Sequence, residues 1–413
     1  MKILFSIDTW GLVGGTERLA AVVVPGLLER GHEIEVLCRD NQSPDFGFDV
    51  DVHALAFLNE EKFTAGQRAH LKDVVETAKP DVIFQQSNCS LACLRELVEL
   101  APLVRFVHDH PLFCPGLNKY HNDGETCTKA LGAECLIRFY AKDGCTCMNR
   151  SQSERGYLAP FKLLFKKYRE IGVNKRAAML LTNSNYMREE LHKAGFGGEL
   201  TDVVHPFTLS NTDRQPKGAL DAETQAFLDA DDRPVIFTPA RITLPDKGID
   251  YLLTAMGAVQ SPFKLVIAGT GPAMEWLREK ALQDNLGPDR LHWAGWQDSG
   301  AMETLLDRAD VVVCPSVWDE PFGLVGLEAM AHAKPMVAFR VGGIPEWLAD
   351  DQSGFLIERK DCHAMAAAVD RLLGDEQLRR RLGEGGKARL ATHFTRAAHL
   401  DGLERALVGA ISN

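Results

Sequence analysis

One pattern of the sequence constrains the fold more than any other. A short apolar run, a glycine-containing loop, a helical stretch and a second apolar run occur in that order near the start of the chain, and the same order restarts near its middle. In the first case, Ile3–Ile7 leads into Gly11–Gly15, a helical pattern follows over Thr16–Arg30, Gly31 ends it, and Ile34–Cys38 reads as a buried strand. In the second, Val235–Thr238 is followed by a helix over Gly248–Val259 and a strand over Lys264–Ala268. Continuous apolar runs joined by helical crossovers are the mark of parallel sheets covered on both faces. Further strands are expected at Val82–Gln85, Val104–Val107, Leu291–Ala294, Val311–Cys314 and Met336–Phe339. The fold class is therefore α/β, with two Rossmann-like doubly wound domains. Such sheets bind ligands beyond the carboxyl ends of their strands.

The 413 residues suit more than one domain. The reading is an N-terminal domain over 1–208, a C-terminal domain over 209–393 and a closing helical segment over 394–413, which is expected to pack back toward the N-terminal domain. The join over 205–232 is polar, with prolines near both ends and room for one short helix. The tail Thr395–Ile411 carries Leu400, Leu403, Leu407 and Ala410 along one stripe. With 57 acids against 46 bases the net charge is −11, which argues against nucleic acid as a partner. No apolar run is long enough to cross a membrane, and the short, weakly charged N-terminus lacks the pattern of a signal peptide. A cytoplasmic protein with reduced or metal-bound cysteines is the expectation.

The loops after the strands carry the chemistry. Gly14 and Gly15 lie between the first strand and helix, where backbone amides can approach an anion. Gly269 and Gly271 begin a G-x-G, but Met274 stands where a dinucleotide fingerprint has its third glycine. Arg241 follows the first strand of the second half, and Lys247 opens its helix. Two cations there suit a diphosphate, Arg by a fork and Lys as a point charge. The segment VVVCPSVWDEPFGLVGLEAM runs from a buried strand through Glu320 and Pro321 into a helix expected to start near Phe322. The amides of Phe322, Gly323 and Leu324 would then be unpaired, Glu320 could accept hydroxyl hydrogen bonds, and Glu328 would stand about two turns on. Taken alone, each of these residues also suits a plain surface charge or a helix-dipole complement.

Together, EPFGLVGLE, the N-terminal GGTE, PARITLPDKG, IAGTGP, GWQ and VGGIPEWL resemble the retaining family-4 glycosyltransferases of the GT-B fold, over nearly the whole chain and in the right order. The resemblance implies two domains facing across a cleft and a UDP- or GDP-sugar as donor. It implies a glycan or lipid-linked acceptor, as in polysaccharide assembly, and catalysis without a metal. It also implies that Arg241 and Lys247 hold the diphosphate, Glu320 the donor sugar, Glu328 the ribose, and that the Trp296 loop lines the base site. Gly15 would approach the phosphate, and His108 in FVHDHP would serve the sugar through its ring or carbonyl, with His110 as a second candidate. A sugar-nucleotide epimerase, a phosphorylase-like enzyme and a metal-stapled binding module are the alternatives. The D-x-D at Asp49–Asp51 reads as an exposed strand or loop.

Five cysteines, Cys114, Cys127, Cys135, Cys145 and Cys147, fall in a polar insert of about 111–150, with spacing C-x12-C-x7-C-x9-C-x-C. That matches no tight zinc motif, and a structural zinc on four of them, disulfides and free thiols all stay open. After the insert, 155–176 interleaves Lys and Arg with Phe161, Leu164, Phe165 and Tyr168. This is either an amphipathic helix packed on the sheet or a helix that also touches the inner face of an anionic membrane.

Overall fold

The computed structural model describes residues 1–413 except 12–14, 43–46, 88, 117, 122–123, 141–157, 211–215 and 413. It divides into two compact units. The first comprises Met1–Asn118, Thr128–His205 and Ala397–Asn413; the second comprises Lys119–Cys127 and Pro206–Arg396.

The first unit holds a seven-stranded parallel sheet. Its strands are β1 (Lys2–Trp10), β2 (Glu33–Asn41), β3 (Asp51–Ala54), β4 (Val82–Gln85), β5 (Leu103–Val107), β6 (Met179–Thr182) and β7 (Thr201–Val203), in the order β3-β2-β1-β4-β5-β6-β7. Ile3 is paired with Ile34 on one side and Val82 on the other. Ile3, Leu4 and Phe5 are wholly buried, as a central strand covered on both faces requires. The closing helix, Arg396–Ser412, belongs to this unit from Ala397 onward and buries Leu400, Leu403, Leu407 and Ala410. It is pinned by Arg30, which reaches Asp401 at 2.5 Å and Glu404 at 2.8 Å, and by His399, whose Nδ1 donates to the His205 carbonyl at 2.8 Å.

The second unit holds a six-stranded parallel sheet of β8 (Val235–Pro239), β9 (Lys264–Ala268), β10 (Leu291–Gly295), β11 (Val311–Cys314), β12 (Met336–Phe339) and β13 (Gly354–Ile357), in the order β10-β9-β8-β11-β12-β13. The strand order reverses direction between β8 and β11. The loops leaving those two strands therefore flank the sheet's switch point. A short helix, Ala222–Asp229, capped by Asp221 onto the Thr224 amide, precedes β8. Strands β3, β6, β7 and β13 are additions to the sequence reading; β3 (DVHA) and β7 (TDV) carry no apolar run. Asp49 and Asp51 are exposed, Asp51 as the first residue of β3. Cys38 and Cys314 are core residues, and burial pushes both thiols up to about 11.

Candidate functional site

Lys247 and Glu320 meet at the switch point of the second sheet. Lys247 lies on the segment after β8 and Glu320 on the loop after β11. Their Nζ and Oε1 are 2.6 Å apart, and each side chain is 12% exposed. The Ser316 hydroxyl donates to the same carboxylate oxygen at 2.7 Å, and the Lys247 ammonium stands 5.0 Å from the centre of the Trp318 ring. Burial pushes the Glu320 carboxyl up, but the charge and hydrogen bond of Lys247, with Ser316 and Trp318, outweigh it and hold it below the usual range. The carboxylate is thus ionised, and Lys247 is not an isolated cation: one of its three donors is committed to Glu320.

Backbone contacts fix this pairing. Gly248 has φ +64°, and a Cβ there would lie 1.9 Å from the Pro315 carbonyl oxygen, so only glycine lets the start of helix Ile249–Ala258 meet the β11 loop. The amides of Val317 and Trp318 donate to the Asp246 carbonyl at 3.1 and 3.3 Å. On the other side, Gly342 and Gly343 lie under Glu320. A Cβ on Gly342 (φ +50°) would lie 2.2 Å from the Glu320 carbonyl oxygen, and the Gly343 amide donates to that oxygen at 2.8 Å. The Trp347 indole donates to the Phe322 carbonyl at 2.6 Å.

The helix behind this loop spans Val325–Ala331, not a stretch from Phe322. Gly323 adopts φ +88°, which no helical residue does, and the first turn is thereby delayed. Pro321 and Phe322 are buried, and the Phe322 ring packs on Phe394 at 5.7 Å between centroids. Leu324 is the residue before the helix and is 47% exposed. Glu328 is the fourth helical residue, one turn from the start rather than two, and half-buried.

Arg241 is exposed at the carboxyl end of β8, with no acidic partner among the described residues. The loops after β8, β9 and β10 are knitted together: Ile242 donates to Thr270 at 3.0 Å, and Gly269 to Gly295 at 2.6 Å. Gly269 and Gly271 serve this knitting, since a Cβ on either would fall within 2.2 Å of the Ala240 or Ile242 carbonyl oxygen. Trp296, just beyond β10, is 73% exposed. The structure thus gathers Arg241, Lys247, Gly269, Gly271, Trp296 and Glu320 at the carboxyl edge of one sheet.

In the first unit, His108 follows β5. Its Nε2 donates to the Gln86 carbonyl at 2.7 Å, which fixes the tautomer and leaves Nδ1 as the acceptor. Burial lowers its pKa to about 4, so the ring is neutral near pH 7. Its carbonyl accepts from the Asn183 side chain at 3.2 Å. His110 is fully buried against Tyr186, 3.0 Å away. Gly15 opens the first helix, and Gly14 lies outside the described residues. Cys114 sits in the first unit's core, Cys127 counts with the second unit, and Cys135 is half-buried on helix Ala133–Tyr140. No group of three potential metal ligands occurs among the described residues. Cys145 and Cys147 lie outside them. Sequence reasoning did not single out Ser316, Trp318, Gly342, Gly343 or Trp347 as builders of the site, although three of these stand in VGGIPEWL.

Residues 13–208 match the profile of Glycosyltransferase Family 4, and residues 221–389 match that of Glycosyl transferases group 1. The chain belongs to the family-4 glycosyltransferases. An alpha-D-kanosaminyltransferase of Streptomyces kanamyceticus is 30% identical over 234 residues, 56% of this chain and 60% of that protein. An uncharacterized glycosyltransferase of Methanocaldococcus jannaschii is 37% identical over 147 residues, 35% of this chain and 37% of that one. The matched stretches thus span less than two thirds of these relatives. Among solved structures, Anabaena HepE with bound UDP superposes at a TM-score of 0.69 with 18% identity, over 99% of this chain and 100% of that one. A Rickettsia africae glycosyltransferase superposes at 0.70 with 15% identity, over 100% and 99% of the two chains. These likenesses agree with the GT-B fold.

Proposed function

We propose that this glycosyltransferase moves a hexose or N-acetylhexosamine from a UDP- or GDP-sugar to a glycan or lipid-linked acceptor, with retention and without a catalytic metal. The observation that carries this reading is the Lys247–Glu320 pair at the switch point, with Arg241 exposed after the same strand as Lys247 and without an acidic partner among the described residues. Nucleotides and their phosphates bind at such a point in doubly wound sheets. The Anabaena neighbour was solved with UDP and with UDP-glucose, which favours the same donor class here.

Arg241 and the two remaining donors of Lys247 hold the diphosphate. Glu320, kept ionised, accepts hydrogen bonds from the sugar hydroxyls, Glu328 serves the ribose, and Trp296 offers a face to the base. As the bond from the anomeric carbon to the phosphate oxygen breaks, negative charge grows on the leaving diphosphate, and preorganised cations stabilise it. The acceptor oxygen bonds to the anomeric carbon on the same face, and its proton passes to the departing phosphate oxygen. In the first unit, His108 presents the Nδ1 lone pair of a neutral ring to a substrate hydroxyl. Donor hydrolysis should be screened with UDP-glucose, UDP-N-acetylglucosamine and GDP-mannose. Glu320→Ala or Lys247→Ala should lower the rate roughly 100–1,000-fold. No hydrolysis of any sugar nucleotide by the unaltered chain would end this reading.

The acceptor side points to a membrane surface. Helix Ala159–Asn174 buries Ile171 and Val173 yet leaves Phe161, Phe165 and Tyr168 about half or more exposed. Beside it lies a groove of 430 Å³ lined by Lys62, Arg95, Lys162, Phe165, Lys166 and Arg169, among others. Lys62, Arg95 and Lys162 have no acidic partner among the described residues, in a chain of net charge −11. Cations beside exposed aromatics suit anionic lipid. The chain should co-sediment with phosphatidylglycerol vesicles, less so at high salt, and not with phosphatidylcholine vesicles. Absence of binding to the anionic vesicles would remove this part.

A further inference from the structure

The segment Lys119–Cys127 counts with the second unit, although the chain through Asn118 and from Thr128 counts with the first. It is a small hairpin. Tyr120 and Thr126 form an antiparallel bridge, the Cys127 amide donates to the Lys119 carbonyl at 2.7 Å, and the His121 amide to the Glu125 carbonyl at 2.8 Å. Tyr120 is 1% exposed and belongs to the hydrophobic cluster that contains Val317, Trp318 and Phe322. An insert from the first half of the sequence thus packs into the core of the second unit.

Two consecutive cations after β13 receive it. Lys360 donates to the Gly124 carbonyl at 2.6 Å, reaches Glu125 at 2.9 Å, and stands 5.9 Å from the centre of the Tyr251 ring. Tyr251 lies in the first turn of the helix that follows Lys247. Arg359 divides its guanidinium: one nitrogen donates to the Thr126 hydroxyl, the other to the Asp319 carboxylate. Asp319 also accepts from the Gly342 amide at 3.2 Å and directly precedes Glu320. The hairpin therefore braces both arms of the site, the helix behind Lys247 through Tyr251 and the loop ahead of Glu320 through Asp319.

We propose that Arg359, oriented by Thr126 of the insert hairpin, is a positioning residue that sets the Lys247–Glu320 pair for the donor, so that the insert forms part of the donor site. This rests on the donor reading above. An arginine that lost Thr126 would keep Asp319 but gain rotameric freedom, and its hold on the loop ahead of Glu320 would loosen. Positioning errors near 1 Å cost heavily in such sites. Coupling is reciprocal, so a nucleotide that orders the loop must also steady the hairpin.

The test uses the full chain, calorimetry with UDP and GDP, and turnover of whichever sugar nucleotide the unaltered protein hydrolyses. Arg359→Gln should raise the nucleotide Kd and the donor KM about tenfold, with a smaller change in kcat and a melting temperature near that of the parent. Arg359→Lys should recover part of the loss, and Thr126→Val, which leaves the charge in place, should weaken binding about threefold. Saturating nucleotide should slow alkylation of Cys127, followed by mass spectrometry at that residue. Parental affinity in Arg359→Gln, or unchanged Cys127 alkylation with nucleotide bound, would overturn the inference while leaving the donor reading intact. If the unaltered chain bound neither nucleotide, the donor reading would fall and the inference with it.

Discussion

Replacing Lys247 with methionine separates the electrostatic role of the pair from mere packing. Methionine keeps much of the volume but removes the charge, leaving Glu320 buried with only the Ser316 hydroxyl and Trp318 for support. Removing one partner of a buried ion pair costs about 3–5 kcal/mol. For a unit of this size each kcal/mol moves the melting temperature by roughly 2–4 °C, so a fall of about 6–20 °C is expected at pH 7.5. The pH dependence follows from the direction of the Glu320 shift. In the parent the folded carboxyl lies below its ordinary 4.5, so its contribution is present above the unfolded value and is lost as pH falls through the folded one. In Lys247→Met only burial and the weaker hydrogen bonds remain. The folded carboxyl then lies above its unfolded value, and stability drops as pH rises past about 4.5. The gap between parent and variant should therefore be small near pH 4 and several-fold wider at pH 7.5. Thermal denaturation at four or five pH values measures it. A gap below about 1 kcal/mol, or one of equal size across that range, would show that Lys247 and Glu320 do not support one another as described. Lys247→Met/Glu320→Gln should recover much of the lost stability without restoring turnover, because a neutral pair relieves burial but leaves the diphosphate less stabilised.

Three further outcomes follow. The His108 ring, held neutral by burial, should titrate by NMR with a midpoint near 4; since its unfolded value is near 6.5, its contribution to stability rises between those pH values and is complete above them, and a midpoint above 6 would contradict the burial seen here. Trp296 is 73% exposed, so nucleotide should change the tryptophan emission of the parent far more than that of Trp296→Phe, and equal changes in both would remove it from the base site. Turnover should survive EDTA treatment, since Arg241 and Lys247 supply the positive charge; loss of turnover that magnesium or manganese restores would reassign that role to a metal.

Much of the fold was legible because its central strands are covered on both faces. Val82–Gln85, Lys264–Ala268, Val311–Cys314 and Met336–Phe339 are continuous apolar or near-apolar runs, and their limits in the structure are the same. Outer strands escaped for the complementary reason. In β3, DVHA, no residue is buried, and in β7, TDV, only Thr201 is. An edge strand is defined by the backbone of its neighbour, not by its own side chains. The helix after Pro321 was placed too early because proline marks a favoured helical start, while the effect of Gly323 at positive φ depends on Trp347 and Gly343 twenty residues on. The same distinction runs through the site. Arg241, Lys247 and Glu320 were legible through the motifs that contain them, PARITLPDKG and EPFGLVGLE, since each alone also suits a surface charge. Glycines 248 and 342 carry equal weight, yet their necessity is visible only once the carbonyls of Pro315 and Glu320 are seen where a Cβ would be.

The insert hairpin was the least legible part, and its chemistry explains why. The five cysteines of the insert divide among places the sequence does not distinguish: Cys114 counts with the first unit, Cys127 with the second, and Cys145 and Cys147 lie outside the described residues. The residues of the insert that act on the site are Tyr120, Gly124 and Thr126, through a buried ring, a carbonyl and a hydroxyl. None of these is unusual in composition or spacing. Their significance comes from Arg359 and Lys360, more than two hundred residues away in the chain, which meet them with one charge each. Arg359 then passes that contact on to Asp319, the neighbour of Glu320. A polar insert of this kind thus rewards a search for what its backbone and hydroxyls can offer to distant cations as well as for metal-ligand spacing within itself.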